Sequence, residues 1–441
     1  MKHRSADAPD GETRRTGGER QGARRRTAVI GGGVAGLTAA YVLSRERSVA
    51  VYEADDRLGG HAHTHDLTSS DGRLHRVDSG FIVHNHRTYP NLLRLFAELG
   101  VATQESEMSM SVRCEGCGLE YAGARGPAGL FARPRDALRV PYLRMLTEVP
   151  AFHRAARRLL AEGGEDTLTL GEFLARRRFS PYFTRHFMTP LVSAVWSCDA
   201  ATARRYPAAY LFRFMEHHGM LSVGDSPAWR TVTGGSRSYV DRLAKQLDAV
   251  HTSTPVRALR RHADGVEITT EDGATASYDS VVVAAHPDQA LRLLADPTPR
   301  EREVLGAFRY SRNTTLLHTD TALLPRARGA RASWNYLMPD CESDADRVRV
   351  SYDMNRLQRL DAPETFVVTL GGEDRVDPDR VLARMRYEHP VYTPESVAAQ
   401  RRLPSLNSPV TAFAGAYHGW GFHEDGCRSG VEAAAALGVT W

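Results

Sequence analysis

Three glycines, Gly31, Gly33 and Gly36, stand between an apolar β-prone run, Thr27-Ala28-Val29-Ile30, and a helix-like run from Leu37 to Ser44. A second β-prone run, Ser48 to Tyr52, ends in Glu53. Residues of these types in this order are suited to receiving a pyrophosphate. Gly31 makes the tight turn, Gly33 lets backbone approach a phosphate, and Gly36 lets the helix pack closely on the strand. Val34 and Ala35 lie in the turn leading to that helix and are counted among the cofactor-binding residues, and the helix's unsatisfied N–H groups and positive dipole end would face the anion. Glu53 is placed to accept a hydrogen bond from a ribose hydroxyl. A glycine triplet alone is weak evidence, but here strand, turn, helix, strand and acid follow in sequence.

Other residues offer chemistry of a less specific kind. His61, His63 and His65 alternate, so on a strand they would share one face and could hold a metal. Cys114-x-x-Cys117 has the spacing of half a zinc site, but no second pair follows at a suitable distance. It is read as a hairpin, and no metal is expected. His318 and the run Trp334-Asn335-Tyr336 fall in β-prone stretches, where His318 and Tyr336 could each act as an acid, a base or a plain wall.

The elements carrying these residues belong to an ordinary globular chain. Its 441 residues allow two interleaved domains, and 42% hydrophobic with 25% charged residues is typical of such proteins. A net charge of +4 excludes a dedicated nucleic-acid binder. Five scattered cysteines do not make a disulfide framework, and no apolar run reaches the length of a membrane span. The first 26 residues are polar and rich in glycine and arginine, and are expected to form a disordered basic tail. The expected compartment is the cytoplasm.

Beyond Glu53, Asp56-Arg57-Leu58-Gly59-Gly60-His61 follows closely, with Arg57 able to offset phosphate charge and Gly59-Gly60 able to pass close over a cofactor. The run Arg-x-Gly-Gly after the ribose acid resembles the amine oxidase and phytoene desaturase superfamily of FAD-dependent oxidoreductases. Val77-Asp78-Ser79-Gly80-Phe81, Gly234-Gly235-Ser236-Arg237, Thr254-Pro255-Val256, Ser280 to Ala285, Phe413-Ala414-Gly415-Ala416 and Gly419 to Gly426 are similar to further segments of that superfamily. The combination of Asp78 to Val83, Ser333 to Tyr336, Met354 to Gln358 and Gly421 to Gly426 resembles, more narrowly, the bacterial predicted NAD/FAD-binding subfamily. That subfamily is often encoded beside methyltransferases acting on lipids.

The resemblance implies a non-covalently held FAD and an α/β fold. A discontinuous Rossmann-like FAD-binding domain would comprise residues 27–70, 224–294 and 406–441, with an α+β substrate domain over 71–223 and 295–405. It implies that Gly80 returns beside the flavin, that the Val256 backbone holds the adenine, and that Gly415, Phe422, His423 and Glu424 cover the ring. Phe422 would pack at the flavin face. His61 would lie near the flavin as a proton shuttle, which argues against a metal on the histidine trio. Amine oxidases of the superfamily commonly place a lysine at the flavin, whereas this chain has only Lys2 and Lys245. The expected activity is therefore hydride removal from a largely apolar substrate, with lipid-type desaturation preferred. The alternatives are a redox-neutral isomerase or mutase, an amine oxidase, and a non-catalytic flavoprotein partner of a lipid methyltransferase. Seven arginines between Phe131 and Arg158, interleaved with Leu138, Tyr142 and Leu143, add an expectation of peripheral membrane contact.

Overall fold

In a computed structural model that describes residues 24–163, 167–222, 224, 226–342 and 348–441, two large sheets organise the chain. Of the tail, residues 1–23 lie outside the described residues, while Arg26 already belongs to the first strand. β1 (Arg26–Ile30), α1 (Val34–Leu43) and β2 (Ser48–Tyr52) form the strand–helix–strand unit expected from the glycine turn. All pairings in their sheet are parallel, in the order Ala249–His251, β2, β1, Ser280–Val283, Thr411–Phe413. Such a sheet is covered on both faces, which is why its strands read as unbroken apolar runs. Val281, Val282 and Val283 are fully buried.

The closing helix, His423–Ala436, lies along α1. Glycine makes this approach possible: a Cβ on Gly430 would stand 2.3 Å from the Ala35 carbonyl oxygen, and one on Gly426 2.6 Å from the Val34 side chain. Thr38 donates to the Cys427 sulfur across the same seam at 3.6 Å.

The second sheet has seven strands, ordered Val381–Val391, Arg309–His318, Val367–Leu370, Val350–Asp353, Trp334–Met338, Met110–Cys114, Glu120–Ala122. Helices between Val140 and His217 bury Tyr142, Phe152, Phe183 and Phe212 in the apolar core that this sheet shares. Its longest pair, Arg309–His318 with Val381–Val391, runs antiparallel from Arg309 opposite Val391 to His318 opposite Val381.

The expected boundary at residue 70 is corrected. It falls in the turn of a hairpin, Thr64–Thr68 with Leu74–Asp78, whose five residue pairs hold the two sides together. The helix Pro90–Leu99, expected in the substrate half, packs Leu92, Leu95 and Phe96 with Leu37 of α1 and with Tyr239 and Val240. Among the described residues, no helix is long and apolar enough to cross a membrane.

Candidate active site

The glycine turn has the geometry its spacing demands. Gly31 adopts φ +104°, and a Cβ there would lie 2.6 Å from the Ala284 carbonyl oxygen. A Cβ on Gly36 would fall 1.9 Å from the Gly31 oxygen, so any side chain would push α1 off the strand. Gly33 differs, since a Cβ there would meet nothing within 4 Å. Its open side borders the N-terminus of α1, where the first-turn N–H groups have no acceptor within the helix. Glu53 ends β2, and its carboxylate is fixed by the backbone N–H of Gly32 at 2.6 Å and of Asp55 at 2.9 Å. Thr254 donates its N–H to the Glu53 carbonyl at 2.9 Å, which brings Val256 beside the end of β2.

The second glycine pair packs on the first turn. Gly59 and Gly60 have φ +105° and +56°, the Gly59 N–H donates to the Gly32 carbonyl at 2.7 Å, and Gly59 bridges Gly33. Among the described residues, the Arg57 guanidinium has no carboxylate partner; its hydrogen bond is a 3.4 Å contact to the Leu58 carbonyl. His61 follows, and its carbonyl accepts from Phe81 at 2.6 Å, with Gly80 so close that a Cβ would stand 2.2 Å away. Asp78 anchors this return. Its carboxylate accepts from Thr64 Oγ1 at 2.5 Å, Ser236 N at 3.0 Å, Ser236 Oγ at 2.7 Å and Gln358 Nε2 at 3.0 Å.

His61 is half-buried, with its Nε2 enclosed and unpartnered, beside Tyr387 and His389, whose ring centroids are 4.9 and 5.3 Å away. Burial, and then the cationic forms of His389, His286 and His423, hold His61 neutral well below the usual imidazole range. Asn313 donates from Nδ2 to the Ser197 carbonyl at 3.1 Å, which fixes its amide, and the same nitrogen meets His389 Nδ1 at 3.0 Å. His389 Nδ1 therefore accepts and its proton rests on Nε2. Ser197 holds φ +52°, an uncommon left-handed conformation next to this contact. Asn313, Tyr387 and His389 were missed in the sequence. The available signal was the alternation of Tyr387 and His389, which places both on one face of their strand.

Phe422 caps an aromatic wall. Its ring stacks on Phe214 at 4.8 Å and meets Trp196 edge-on at 6.1 Å, while Phe214 contacts Trp420 at 5.8 Å. A cavity of about 500 Å³ opens beside Trp420 and Phe422, lined also by Tyr89, Tyr210, Arg213 and His218. The loop before the closing helix is clamped at the Gly419 carbonyl, which accepts from Tyr210, Tyr392 and Gln400, each at 2.7 Å. Gly415, just upstream, donates to Ser429 Oγ at 2.9 Å.

Several expected site residues have other duties. The Glu424 carboxylate accepts from Asn91 N at 3.1 Å, Asn91 Nδ2 at 2.7 Å and Leu92 N at 3.0 Å, so it caps the helix Pro90–Leu99 and is not free for a cofactor. The His423 ring stacks on Phe81 at 3.7 Å and bonds the Tyr239 hydroxyl at 2.6 Å, leaving only its backbone for the helix N-terminus. His318 is buried with both nitrogens used, Nε2 with Thr369 Oγ1 at 2.7 Å and Nδ1 accepting from Asp320 N at 3.1 Å. Tyr336 is buried in the apolar core that the sheet shares with the helices. Both are structural rather than catalytic. The histidine trio does not come together as one set of three: the His63 and His65 rings lie 4.1 Å apart but bond Tyr387 and Ser79, and the His61 ring lies against Tyr387 and His389.

The profile of the flavin containing amine oxidoreductase family matches residues 34–321. The chain belongs to this family. FAD is its cofactor, and the dinucleotide turn fits that form of flavin: open space at Gly33, an acid at the end of β2, an uncommitted Arg57 and a helix N-terminus at His423. Cys427 is buried under Thr38, Cys198 is buried, and the other three cysteines cluster elsewhere.

Among its relatives, (S)-6-hydroxynicotine oxidase of Paenarthrobacter nicotinovorans is 24% identical over 286 residues, covering 62% of this chain and 63% of that protein. Carotenoid phi-ring synthase of Streptomyces griseus is 30% identical over 308 residues, covering 65% and 56%. The match thus spans less than two thirds of either relative's length. The structure of putrescine oxidase bound to putrescine superposes with a TM-score of 0.67 at 16% identity, over 94% of this chain and 98% of that one, which shows a shared fold.

This flavin-family cleft is walled by neutral histidines, and that has a consequence in acid. Burial lowers His389 to about 4, and His418 and His423 to about 3. A histidine depressed in the folded state stabilises fully above about 6.5 and loses that contribution as pH falls, at up to about 1.4 kcal/mol per pH unit each. Burial raises Asp78 and Asp425 to about 6, which acts in the opposite sense, but only below that pH. His61, His84, His218 and His318 side with the first three. The melting temperature is therefore expected to fall between pH 7 and 5, as thermal denaturation at both values would reveal. An unchanged value would mean that these rings are not buried neutral.

Proposed function

We propose that the chain removes a hydride from a largely apolar substrate and leaves a new C=C or C=N bond, with a lipid chain as the preferred substrate class. The observation that carries this reading is the wall of Trp196, Phe214, Trp420 and Phe422 beside a cavity lined by His217 and His218, in a sequence whose only lysines are Lys2 and Lys245. Lys245 follows the helix Arg237–Ala244, outside that cluster. Bound FAD supplies the two-electron acceptor.

The protein's own groups do the remaining work. The aromatic wall orients an apolar chain and excludes water. The substrate would give up a hydride, the hydrogen of one C–H bond with its electron pair, to the flavin and a proton from the neighbouring atom. His61, neutral and with an unpartnered ring nitrogen, takes the proton. Asn313 fixes the tautomer of His389 so that its Nε2–H faces outward as a donor. The two electrons then leave to oxygen or a quinone.

Support for a lipid comes from the outer surface and from one relative's name. Leu138 and Val140 are 85% and 74% exposed, with Leu143 close by, among Arg135, Arg139 and Arg144. That arrangement suits contact with an anionic membrane. Carotenoid phi-ring synthase acts, by its name, on a carotenoid. A second reading, amine oxidation, draws on hydroxynicotine and putrescine oxidases among the similar proteins. Anaerobic absorbance titration separates the two. Bleaching of the flavin band by an unsaturated or branched lipid is the expected result, whereas bleaching by amines alone would replace the first reading with the second.

A further inference from the structure

Four potential metal ligands converge far from the glycine turn. Cys114 and Cys117 flank the turn between the strands Met110–Cys114 and Glu120–Ala122. Cys341 follows the strand Trp334–Met338, which runs parallel to the first of these with Met338 opposite Cys114. His186 sits in a π-helical turn, Thr184–Met188, a rare local widening of the helix that redirects a side chain. The Cys114 and Cys341 sulfurs are 3.5 Å apart, Cys117 Sγ is 3.8 Å from His186 Nε2, and all four ligand atoms lie within 4.8 Å of one another. The expectation of a cysteine pair without a second half is thereby corrected: sheet register and a helix bring two further potential ligands to it.

We infer that Cys114, Cys117, His186 and Cys341 form a structural zinc site. A tetrahedral zinc with Zn–S near 2.3 Å and Zn–N near 2.0 Å sets its ligand atoms about 3.5 to 3.8 Å apart, which the 3.5 Å between the Cys114 and Cys341 sulfurs and the 3.8 Å from Cys117 to His186 match. Three thiolates and one imidazole form a closed, soft donor set that selects zinc over magnesium or calcium.

The surroundings are also those of a built site. His186 Nδ1 lies 3.3 Å from the Tyr182 carbonyl, an acceptor, so the proton belongs on Nδ1 and the Nε2 lone pair is turned toward the sulfurs. The ring is held by stacking on Tyr182 at 3.9 Å, and its backbone carbonyl accepts from the Tyr121 hydroxyl at 2.7 Å. Gly116 lets the two loops close, for a Cβ there would stand 2.9 Å from Asp340 Cα and Cys341 N. Gly118 holds φ +69° directly after the second cysteine, as a tight knuckle requires.

The site's role is to staple. Cys114 and Cys341 are 227 residues apart and Cys117 and His186 are 69 apart, so one ion ties together a hairpin, a helix and the end of a third strand. Binding that exists only in the folded chain adds directly to stability.

Elemental analysis of the flavin-loaded protein, purified after growth with zinc, is the test. About one zinc per chain is expected, falling below about a tenth in Cys117→Ser and in His186→Ala, while Cys198→Ser keeps its metal. Cobalt exchanged into the wild type is expected to add thiolate–cobalt ligand-field bands at wavelengths longer than flavin absorbs. A zinc-free wild type with all five thiols titratable would overturn the inference, and so would a Cys114–Cys341 disulfide seen by mass. Because the wild-type measurements decide by themselves, a variant that fails to fold does not rescue the proposal.

Discussion

Gly33→Asp is expected to yield a folded protein that has lost its flavin. The position has room, since a Cβ meets nothing within 4 Å, so the substitution does not collide with the sheet. It does put a carboxylate where the phosphates approach α1. Two like charges about 5 Å apart at an effective dielectric near 20 repel by about 3 kcal/mol, a loss of roughly a hundredfold in affinity. Gly36→Ala provides the contrast, because its methyl would overlap the Gly31 carbonyl at 1.9 Å and force the helix from the strand. Flavin absorbance per chain, measured beside circular dichroism, checks both. A yellow Gly33→Asp protein would mean that the phosphates bind elsewhere.

Asp78→Ala is expected to destabilise by about 3–5 kcal/mol, the range for breaking a buried hydrogen-bonded charge network. The carboxylate gathers donors from three separate segments: Thr64, the N-terminus at Ser236, and Gln358. Its removal strands those buried donors at about 1–3 kcal/mol each. The effect should reach the cofactor as well, because Asp78 fixes the return through Ser79 and Gly80 that presses on the His61 carbonyl. Loss of flavin should accompany a large drop in melting temperature. Asp78→Asn, which keeps one acceptor oxygen, should lose much less. A shift in Asp78→Ala equivalent to under about 1 kcal/mol would show that water replaces the carboxylate.

How much of this was legible depended on sequence distance. The turn at Gly31 to Gly36 and its acid at Glu53 form one local unit, and residues so close in sequence announce their chemistry by type and spacing. The Gly59–Gly60 pair and Gly80 were equally plain through resemblance. Asn313 and His389 were not, because they meet across a strand pair whose register no local pattern reports. The same holds for Cys341 and His186, brought to Cys114-x-x-Cys117 by a parallel strand and a π-turn. Glu424 was misassigned for a related reason. An acid at the start of the closing helix looks like a cofactor neighbour until its partners, Asn91 and Leu92, are seen over 330 residues away. His318 was misassigned because a histidine in a sheet looks reactive when its two partners are unknown.

The closing helix packed on α1 sets a timetable for biosynthesis. The pyrophosphate turn leaves the ribosome well before the strand Thr411–Phe413 and the helix that covers α1. With about 360 residues between β2 and that strand, synthesis at 5–20 residues per second leaves a gap of roughly 20 to 70 seconds. During that interval the turn has no neighbour along Val34, Ala35 and Thr38, and the ring-facing end of the cofactor cleft does not exist. Flavin capture therefore waits for the closing helix to be made, and a nascent chain stalled before Thr411 has no completed cleft in which to hold it.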